Sequence, residues 1–272
     1  MPKVAELATL AREMKDAQDR VSQLSPFSSR VAGFDVASAY AVADLIHRER
    51  VHEGAAPVGR KIGFSNPDMW AAYGVGEPIW GHVYDSTVVF ASGGHVRCDL
   101  GRFVEPKIEP EIVLHLHATP APGGGLAGIL ASIDWIAHGF EIVQSHFPGW
   151  KFRAADTIVD GGLHGGLLVG EPQTIDRLGG DLTKRLERFS LSLFRNDTIR
   201  DVGTGANVLG NPLLAVAHLM EIIERQPQSQ PLRAGELVTT GTITAAHSVR
   251  AGECWRTEVK GIGLPGLTVE FT

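Results

Sequence analysis

The chain changes character near residue 55, and this change is the strongest constraint on its fold. Before it, apolar residues recur at helical spacing over 4–14, and a second helical pattern covers 37–52. After it, glycine is frequent and short segments rich in β-branched residues alternate with turns, which is typical of strands. We therefore predict an α+β protein in which a helical N-terminal part, residues 1–55, and a β-rich body, residues 56–272, form one integrated unit.

The predicted strands of the body share β-branched or aromatic residues and flanks that favour turns. They are the segments VYDSTVVF, KIEPEIVLHLH, GGLLVG, FSLSLF, ELVTTGTIT and LTVEFT. Two helices are predicted between them, one near Gly128–Ala137 and one over Pro212–Arg225. The tract at 119–128 is rich in Gly and Pro, which predicts a mobile connection.

Composition excludes several classes of protein. The formal net charge is -6 and no basic stripe occurs, which argues against a nucleic-acid partner. We find no apolar stretch of membrane-spanning length, and the N-terminus mixes both signs of charge, which is unlike a signal peptide. We therefore expect a cytoplasmic protein without a membrane partner. The two cysteines, Cys98 and Cys254, lack a CxxC spacing, which excludes a zinc site of that kind.

The segment from 106 to 115 is the most informative for chemistry. Side chains alternate along a strand, so Lys107, Glu109, Glu111 and His115 share one face while the intervening residues face the core. Two carboxylates at neighbouring positions of one face repel each other unless water or a cation lies between them. An exposed edge strand is the alternative interpretation, because Pro110 fits an edge, where its missing N–H is tolerated.

A third carboxylate favours the metal interpretation. Glu141 is flanked by Phe140, Ile142 and Val143, an apolar setting in which an unpaired carboxylate would be unfavourable. A buried acid with hydrogen-bond partners remains the alternative for this residue. Three carboxylates with open coordination positions would suit a hard cation such as Mg2+ and leave room for a chelating substrate.

Several ordered segments together resemble a known family. They are residues 60–86, PKIEPEIVLHL, FEIVQSHFPGWKFRAADTIVDGG, and residues 203–219 and 233–244. The chain resembles the 2-keto-4-pentenoate hydratase and 4-oxalocrotonate decarboxylase family of the fumarylacetoacetate hydrolase superfamily, from about residue 40 onward. The resemblance implies a β-rich body of mixed, rolled sheets and a divalent-metal-dependent lyase of aromatic catabolism.

The resemblance also implies roles for particular residues. It places the metal ligands on Glu109, Glu111 and Glu141, with Mg2+ or Mn2+ as the cofactor. It implicates Lys61 in proton transfer or in binding the substrate carboxylate, with Asp156 as a partner in moving protons. The residues that it implies to face the substrate are Lys151, Asp160, Glu77 and Asp85.

One segment departs from the family pattern. Relatives often read Asp-Asn-Ala-Ser-Ser where this chain has Asp160, two glycines, Leu163 and His164. We consider two interpretations: the pocket accepts a different substrate tail, or His164 supplies a catalytic proton-transfer group. The alternative for His164 is a hydrogen-bonding residue of a loop.

The expected reaction is the addition of water to a 2-hydroxy-2,4-dienoate, giving a 4-hydroxy-2-oxo acid. Loss of CO2 from a 2-oxo-3-enedioate is the main alternative, and hydrolytic C–C cleavage of a diketo acid is another. A catalytically silent partner subunit is the alternative from a different class. The resemblance implies a homo-oligomer, with association with a pathway partner enzyme as a further expectation.

Overall fold

The computed structural model describes residues 4–67, 70, 75–226 and 228–272. Its N-terminal part is helical, with α1 over Val4–Asp19, α2 over Phe27–Arg30 and α3 over Val36–His52. The Asp35 side chain caps α3 by accepting a hydrogen bond from the backbone N–H of Ser38. The first strand begins at Pro57, close to the predicted change near residue 55.

The remaining elements are mainly strands. The strands are β1 Pro57–Gly63, β2 Ile79–Tyr84, β3 Val88–Phe90, β4 His95–Cys98, β5 Lys107–Leu116, β6 Ile133–Val143, β7 His164–Val169, β8 Gln173–Thr174, β9 Ser190–Arg195, β10 Thr198–Thr204, β11 Leu237–Thr242, β12 His247–Ser248, β13 Cys254–Lys260 and β14 Thr268–Phe271. The helices among them are α4 Gly125–Ala131, α5 Ala154–Val159, α6 Ile175–Leu178, α7 Leu182–Arg188 and α8 Pro212–Glu224. Each of the six segments predicted as strands overlaps at least one strand, but the first is interrupted by a 3₁₀ turn, Asp85–Thr87, between β2 and β3.

Two mixed sheets form from these strands. Across the described residues, the larger sheet has nine strands in the order β2-β1-β11-β5-β6-β7-β3, with β12 beside β5 and β8 beside β6. The smaller sheet has the order β10-β9-β13-β14-β4. The pairs β1–β11, β3–β7 and β14–β4 are parallel and the other pairs are antiparallel. The predicted α+β class with mixed sheets is confirmed.

The strand that carries the predicted carboxylates lies in the middle of the larger sheet, between β11 and β6. The alternative of an exposed edge strand is therefore wrong. Pro110 is tolerated because β11 changes register between Thr239 and Thr242, directly beside it. The Pro110 carbonyl accepts a hydrogen bond from Ile243 N at 2.9 Å, so the proline nitrogen, which has no hydrogen to donate, faces this irregular stretch and not a regular ladder.

The helix predicted near Gly128–Ala137 is only partly correct. Helix α4 ends at Ala131, Ser132 follows as its cap, and β6 begins at Ile133. Strand β6 is buried along most of its length, so apolar and polar residues do not alternate regularly along it. Such a sequence cannot be distinguished from a buried helix by its periodicity. The tract at 119–128 is not wholly a connection either, because α4 begins within it, at Gly125.

Helix α8 accounts for an apolar stretch that the sequence analysis overlooked. By length and composition, Gly205–Glu224 is long and apolar enough to cross a membrane, and half of it is buried inside the protein. Leu213, Val216, Leu219 and Ile223 pack into the core from α8. Core helices commonly share these properties, so the stretch carries little weight as a membrane segment.

Candidate metal centre

The register between β5 and β6 brings three carboxylates together. Glu109 and Glu111 lie on one face of β5, and Glu109 pairs across the strands with Glu141 of β6. Directly paired residues share a face, so all three side chains point to the same side of the sheet. One carboxylate oxygen from each lies within 4.8 Å of the others. Glu111 and Glu141 are completely buried and Glu109 is partly exposed.

Lys61 joins this cluster from β1. It pairs with Thr239 of β11, which in turn pairs with Val113 on the carboxylate face of β5. The Lys61 Nζ lies 3.2 Å from Glu141 Oε2 and donates a hydrogen bond to the carbonyl of Gly162 at 2.7 Å. One ammonium beside three ionised carboxylates leaves two negative charges, which is the charge that a divalent cation neutralises.

Strand β11 fixes the orientation of Glu111. Its Oε2 accepts hydrogen bonds from Thr239 Oγ1 and from Gly241 N, the latter at 2.8 Å. Gly241 has φ +99°, and a Cβ there would overlap the Ser65 side chain, so glycine is required for this close approach. The other oxygen, Oε1, is buried and has no hydrogen-bond partner among the described residues. An unpartnered buried carboxylate oxygen fits a bound cation.

The burial of like charges changes the protonation of the cluster. Burial raises the pKa of Glu109 to about 7, with Glu141 adding to the rise and Lys61 opposing it. Burial also raises the pKa of Glu111 well above its usual value. Although burial acts in the opposite direction, Lys61 and His164 hold the pKa of Glu141 below normal. Lys61 itself has a raised pKa because the nearby carboxylates outweigh its burial, so it stays protonated.

These pKa shifts predict that metal binding releases protons. Because burial raises the pKa of Glu109 to about 7 and that of Glu111 well above its usual value, Mg2+ must compete with protons for these carboxylates, and its affinity should rise between about pH 6 and about pH 8. The contribution of Glu109 to the free energy of unfolding of the metal-free protein should fall as the pH rises from about 4.5 to about 7, because over this range the folded state binds the Glu109 proton more tightly than the unfolded state. Calorimetric titration in buffers of different ionisation enthalpy measures both affinity and proton release. Equal affinity at both pH values, without proton release, would contradict the expectation.

His164 contacts the cluster through Glu141. Its Nδ1 lies 2.7 Å from Glu141 Oε1 and its Nε2 lies 2.9 Å from Thr87 Oγ1. The imidazole is 5% exposed. The sequence analysis identified His164 but missed Thr87, which follows β2 in a short 3₁₀ turn, because a lone threonine carries no sequence signal for such a contact.

Glycines let the loop before His164 approach Lys61. Gly81 of β2 lies opposite Lys61, and a Cβ on it would come within 2.2 Å of the Gly161 carbonyl oxygen. Gly162 has φ +70° and its α-carbon faces the Lys61 side chain, with 2.8 Å between an added Cβ and Lys61 Cδ. The glycines that depart from the family pattern therefore bring the carbonyl that Lys61 binds close to β1 and β2.

Replacing Gly81 with Ala should disturb this arrangement. The new methyl group must push the loop at 161–163 away from β2, which removes the support of the Lys61 ammonium and destabilises the protein by roughly 1–3 kcal/mol. Thermal unfolding of the metal-free protein measures the loss. Gly128→Ala is the matched control, because a Cβ at this helical glycine meets no atom within 4 Å. A Gly81→Ala protein with the melting temperature of the control would show that the close approach is not needed.

Two predicted aspartates are buried but support the fold. Asp156 accepts hydrogen bonds from the backbone N–H groups of Ser28 and Arg153, both at 2.9 Å. Asp160 lies 2.7 Å from the Nδ1 of His146, and both side chains are almost fully buried. These hydrogen bonds connect α2, α5 and the end of β6 and occupy the carboxylates. The predicted roles in proton transfer and substrate binding stay predictions.

The other residues predicted to face the substrate are exposed. Glu77 forms an ion pair of 2.6 Å with Arg225 at the end of α8. Asp85 accepts a hydrogen bond from Ala56 N at 3.2 Å, and Lys151 follows a 3₁₀ turn at the surface. These contacts belong to the surface connections of the sheet, and the substrate contacts stay predictions.

A cavity of about 650 Å³ lies on the opposite face of β1. Arg60 and Lys61 are consecutive and point to opposite faces, so Arg60 lines the cavity while Lys61 joins the carboxylates. Trp80 and helix α3 form other walls, and the lining reaches the surroundings of the cluster at His164. Arg60 is buried and paired with Glu236 at 3.2 Å.

A mixed sheet that holds three clustered carboxylates and a lysine on one face is typical of a divalent-metal enzyme. No family model matches the chain. It is 30% identical over 242 residues to 2-keto-4-pentenoate hydratase 1 of Dechloromonas aromatica, and this alignment covers 88% of each chain. It is also 30% identical to a 4-oxalocrotonate decarboxylase of a Pseudomonas species, covering 80% of this chain and 81% of the relative. The chain belongs to the 2-keto-4-pentenoate hydratase and 4-oxalocrotonate decarboxylase family.

Solved structures agree with this assignment. The 4-oxalocrotonate decarboxylase of Pseudomonas putida G7, complexed with magnesium and adipate, superposes with a TM-score of 0.91 at 26% identity over 100% of this chain and 99% of that chain. A fumarylpyruvate hydrolase from Pseudomonas aeruginosa, complexed with Mn2+ and pyruvate, shares the fold with a TM-score of 0.56 at 14% identity over 78% of this chain and 88% of that chain. The predicted family, the fumarylacetoacetate-hydrolase-like fold and the lyase class are confirmed.

Proposed function

We propose that the protein is a divalent-metal-dependent hydratase that adds water to a 2-hydroxy-2,4-dienoate and forms a 4-hydroxy-2-oxo acid. The observation that carries this proposal is the cluster of Glu109, Glu111 and Glu141 with Lys61 on one face of the sheet. Similarity to curated hydratases supports the choice of reaction. Mg2+ or Mn2+ held by the three carboxylates would supply Lewis-acid stabilisation of negative charge on the substrate oxygen.

Lys61 is the residue that we assign to proton delivery. Its ammonium has three N–H donors, of which one binds the Gly162 carbonyl and another faces Glu141. Among the described residues these are the two polar contacts of the ammonium, so we assign its third donor to a substrate atom. Because its pKa is raised, Lys61 stays protonated at neutral pH and is not available as a base. Its burial excludes bulk water from the donor and strengthens its hydrogen bonds.

The direct test is a spectrophotometric assay of 2-hydroxypenta-2,4-dienoate with Mg2+, with Mn2+ and with a chelator, followed by identification of the product. We expect metal-dependent loss of the dienol absorbance and formation of a 4-hydroxy-2-oxo acid. Release of CO2 from a 2-oxo-3-enedioate, without turnover of the dienoate, would replace the hydratase by the decarboxylase. Absence of metal binding and of both activities would favour the silent partner subunit.

A specific observation favours the decarboxylase as the second candidate. Lys107 lies on the carboxylate face of β5, two residues before Glu109, and is half-buried. Its Nζ lies 3.7 Å from the centroid of the Trp150 ring. Burial lowers the pKa of Lys107, while Glu109 and Glu105 oppose the shift. A cation at this position suits the second carboxylate of an enedioate, which the monocarboxylic dienoate lacks.

Lys107→Met should separate the two candidates. If the natural substrate carries a second carboxylate, loss of a charged hydrogen bond should lower kcat/KM for the enedioate roughly tenfold and leave the monocarboxylic dienoate unaffected. Steady-state kinetics with both substrates measure the difference. Lys184→Met is the control, because Lys184 is exposed and paired with Asp181. Equal effects on both substrates would remove Lys107 as a determinant of substrate charge.

We further propose that residues 1–55 and 56–272 form one integrated unit. Met14 of α1, Phe27 of α2 and Val42 of α3 are fully buried in the same hydrophobic core as the strands of the body. The helices therefore contribute to the only large core that the described residues form. We also propose a homo-oligomer, as the family resemblance implies, and a cytoplasmic location, as the composition suggests. Size-exclusion chromatography with light scattering tests the assembly.

A further inference from the structure

His164 reaches the carboxylate cluster only because of an irregularity in β7. Leu167 pairs with Glu141 and Gly166 with Ile142, but the next pair joins His164 to Val143. One residue, Gly165, is therefore extra on β7, which defines a β-bulge. Without the bulge, simple alternation from Leu167 would direct His164 to the opposite face of the sheet.

Glycine is required at the bulge. A Cβ on Gly165 would lie 2.8 Å from the Ile142 carbonyl oxygen and 2.9 Å from Phe103 Cδ1. The bulge therefore packs tightly against β6 and the Phe103 ring, and it turns the imidazole towards Glu141. Bulges beside functional sites commonly redirect one side chain in this way.

Both nitrogens of the imidazole are occupied by protein groups. Nδ1 contacts Glu141 Oε1 at 2.7 Å and Nε2 contacts Thr87 Oγ1 at 2.9 Å. The Thr87 hydroxyl is itself anchored, since it donates to the Tyr84 carbonyl at 2.8 Å. With both nitrogens engaged by protein groups, His164 has no free nitrogen for proton transfer to a substrate.

We infer that His164 is a positioning residue, which holds Oε1 of Glu141 so that Oε2 faces Lys61 and the metal position. Glu141 Oε2 lies 3.2 Å from Lys61 Nζ and accepts no further hydrogen bond from the described residues. Residues that hydrogen-bond a metal-ligating side chain orient it and contribute to metal affinity. This inference rests on the proposed metal site, and it replaces the catalytic role in proton transfer that the sequence suggested for His164.

The test compares His164→Ala and His164→Asn by calorimetric titration with Mg2+ and by steady-state kinetics at saturating Mg2+. We expect His164→Ala to weaken Mg2+ binding about 10- to 100-fold, with a much smaller change in kcat once the metal is saturating. His164→Asn keeps a donor near the position of Nδ1 and should recover most of the affinity. Thr87→Val removes the anchor of Nε2 and should weaken binding in the same direction, by a smaller factor.

His115→Asn is the matched control. His115 also contacts a carboxylate, Asp134 at 2.6 Å, but it stacks on Trp135 further along β5 from the metal site. Its replacement should leave the Mg2+ affinity unchanged. Unaltered affinity in His164→Ala, or a loss of kcat at saturating Mg2+ with normal affinity, would overturn the inference. If the unmodified protein binds no Mg2+, the proposed metal site itself is wrong. Circular dichroism of each protein distinguishes a specific loss of Mg2+ binding from misfolding.

Discussion

Glu111→Gln should abolish metal-dependent turnover while the protein stays folded. Glu111 is fully buried, is fixed by Thr239 and Gly241, and has one oxygen without a hydrogen-bond partner in the described part of the chain. The amide removes the negative charge and weakens metal binding by more than about 100-fold, beyond the effect of losing an orienting residue. Loss of several kcal/mol of Lewis-acid stabilisation corresponds to roughly a thousandfold lower kcat/KM.

The thermal stability of the metal-free Glu111→Gln protein provides the internal control. Because burial raises the pKa of Glu111 well above its usual value, burial favours the protonated form of this group in the metal-free protein, and the amide imitates that form. The melting temperature without metal should therefore be no lower than that of the unmodified protein. Addition of Mg2+ should raise the melting temperature of the unmodified protein only. Preserved metal-dependent turnover in Glu111→Gln would refute the assignment of this ligand.

Lys61→Met should have the second large effect, on both stability and catalysis. Removing the ammonium leaves Glu141 buried without its cation, and breaking a buried ion pair in this way costs about 3–5 kcal/mol. Saturating Mg2+ should restore much of this stability, because a cation then neutralises Glu141 again. Turnover should remain about 10²- to 10⁴-fold lower even with metal, because the proton donor is missing.

Chemical denaturation with and without Mg2+, together with kinetics, measures both parts of the Lys61 prediction. Lys15→Met is the control, because Lys15 is also a buried lysine, but its partners Asp19 and Glu53 are largely exposed. Replacing it should cost no more than about 1 kcal/mol, with or without metal. If the Lys61→Met protein has a normal kcat with Mg2+, Lys61 is excluded as the proton donor.

Alternation along β5 was enough to predict which acids share a face, because the period of a strand is fixed by the backbone. It could not show that Glu109 lies opposite Glu141, since cross-strand register depends on pairing between segments distant in sequence. Thr239 and Gly241 were missed for the same reason: their hydrogen bonds to Glu111 follow from the irregular register of β11. The glycine inside that strand was the available signal, because an interior glycine indicates a bulge or a close approach.

The position of His164 was beyond a sequence-based prediction. Regular alternation from Leu167 places His164 on the face of the sheet opposite Glu141. Only the β-bulge at Gly165 brings it to the face of Glu141. Strand β6 was mistaken in part for a helix because burial on both faces removes alternation. The segments with clear alternation and flanking turns, such as β9, were predicted correctly.

The three carboxylates stand on adjacent strands whose backbone hydrogen bonds already fix their separation before any cation binds. Loading the site therefore requires no folding of the surrounding chain, unlike small domains that are ordered by their metal. The free energy that opposes metal binding is electrostatic: bound protons must leave the carboxylates, and the carboxylates repel each other once they are ionised. Metal binding should therefore depend on pH and little on chain entropy. If the proposed site binds a divalent ion, we expect the protein to fold first, to acquire its metal afterwards and to exchange one divalent ion for another without unfolding.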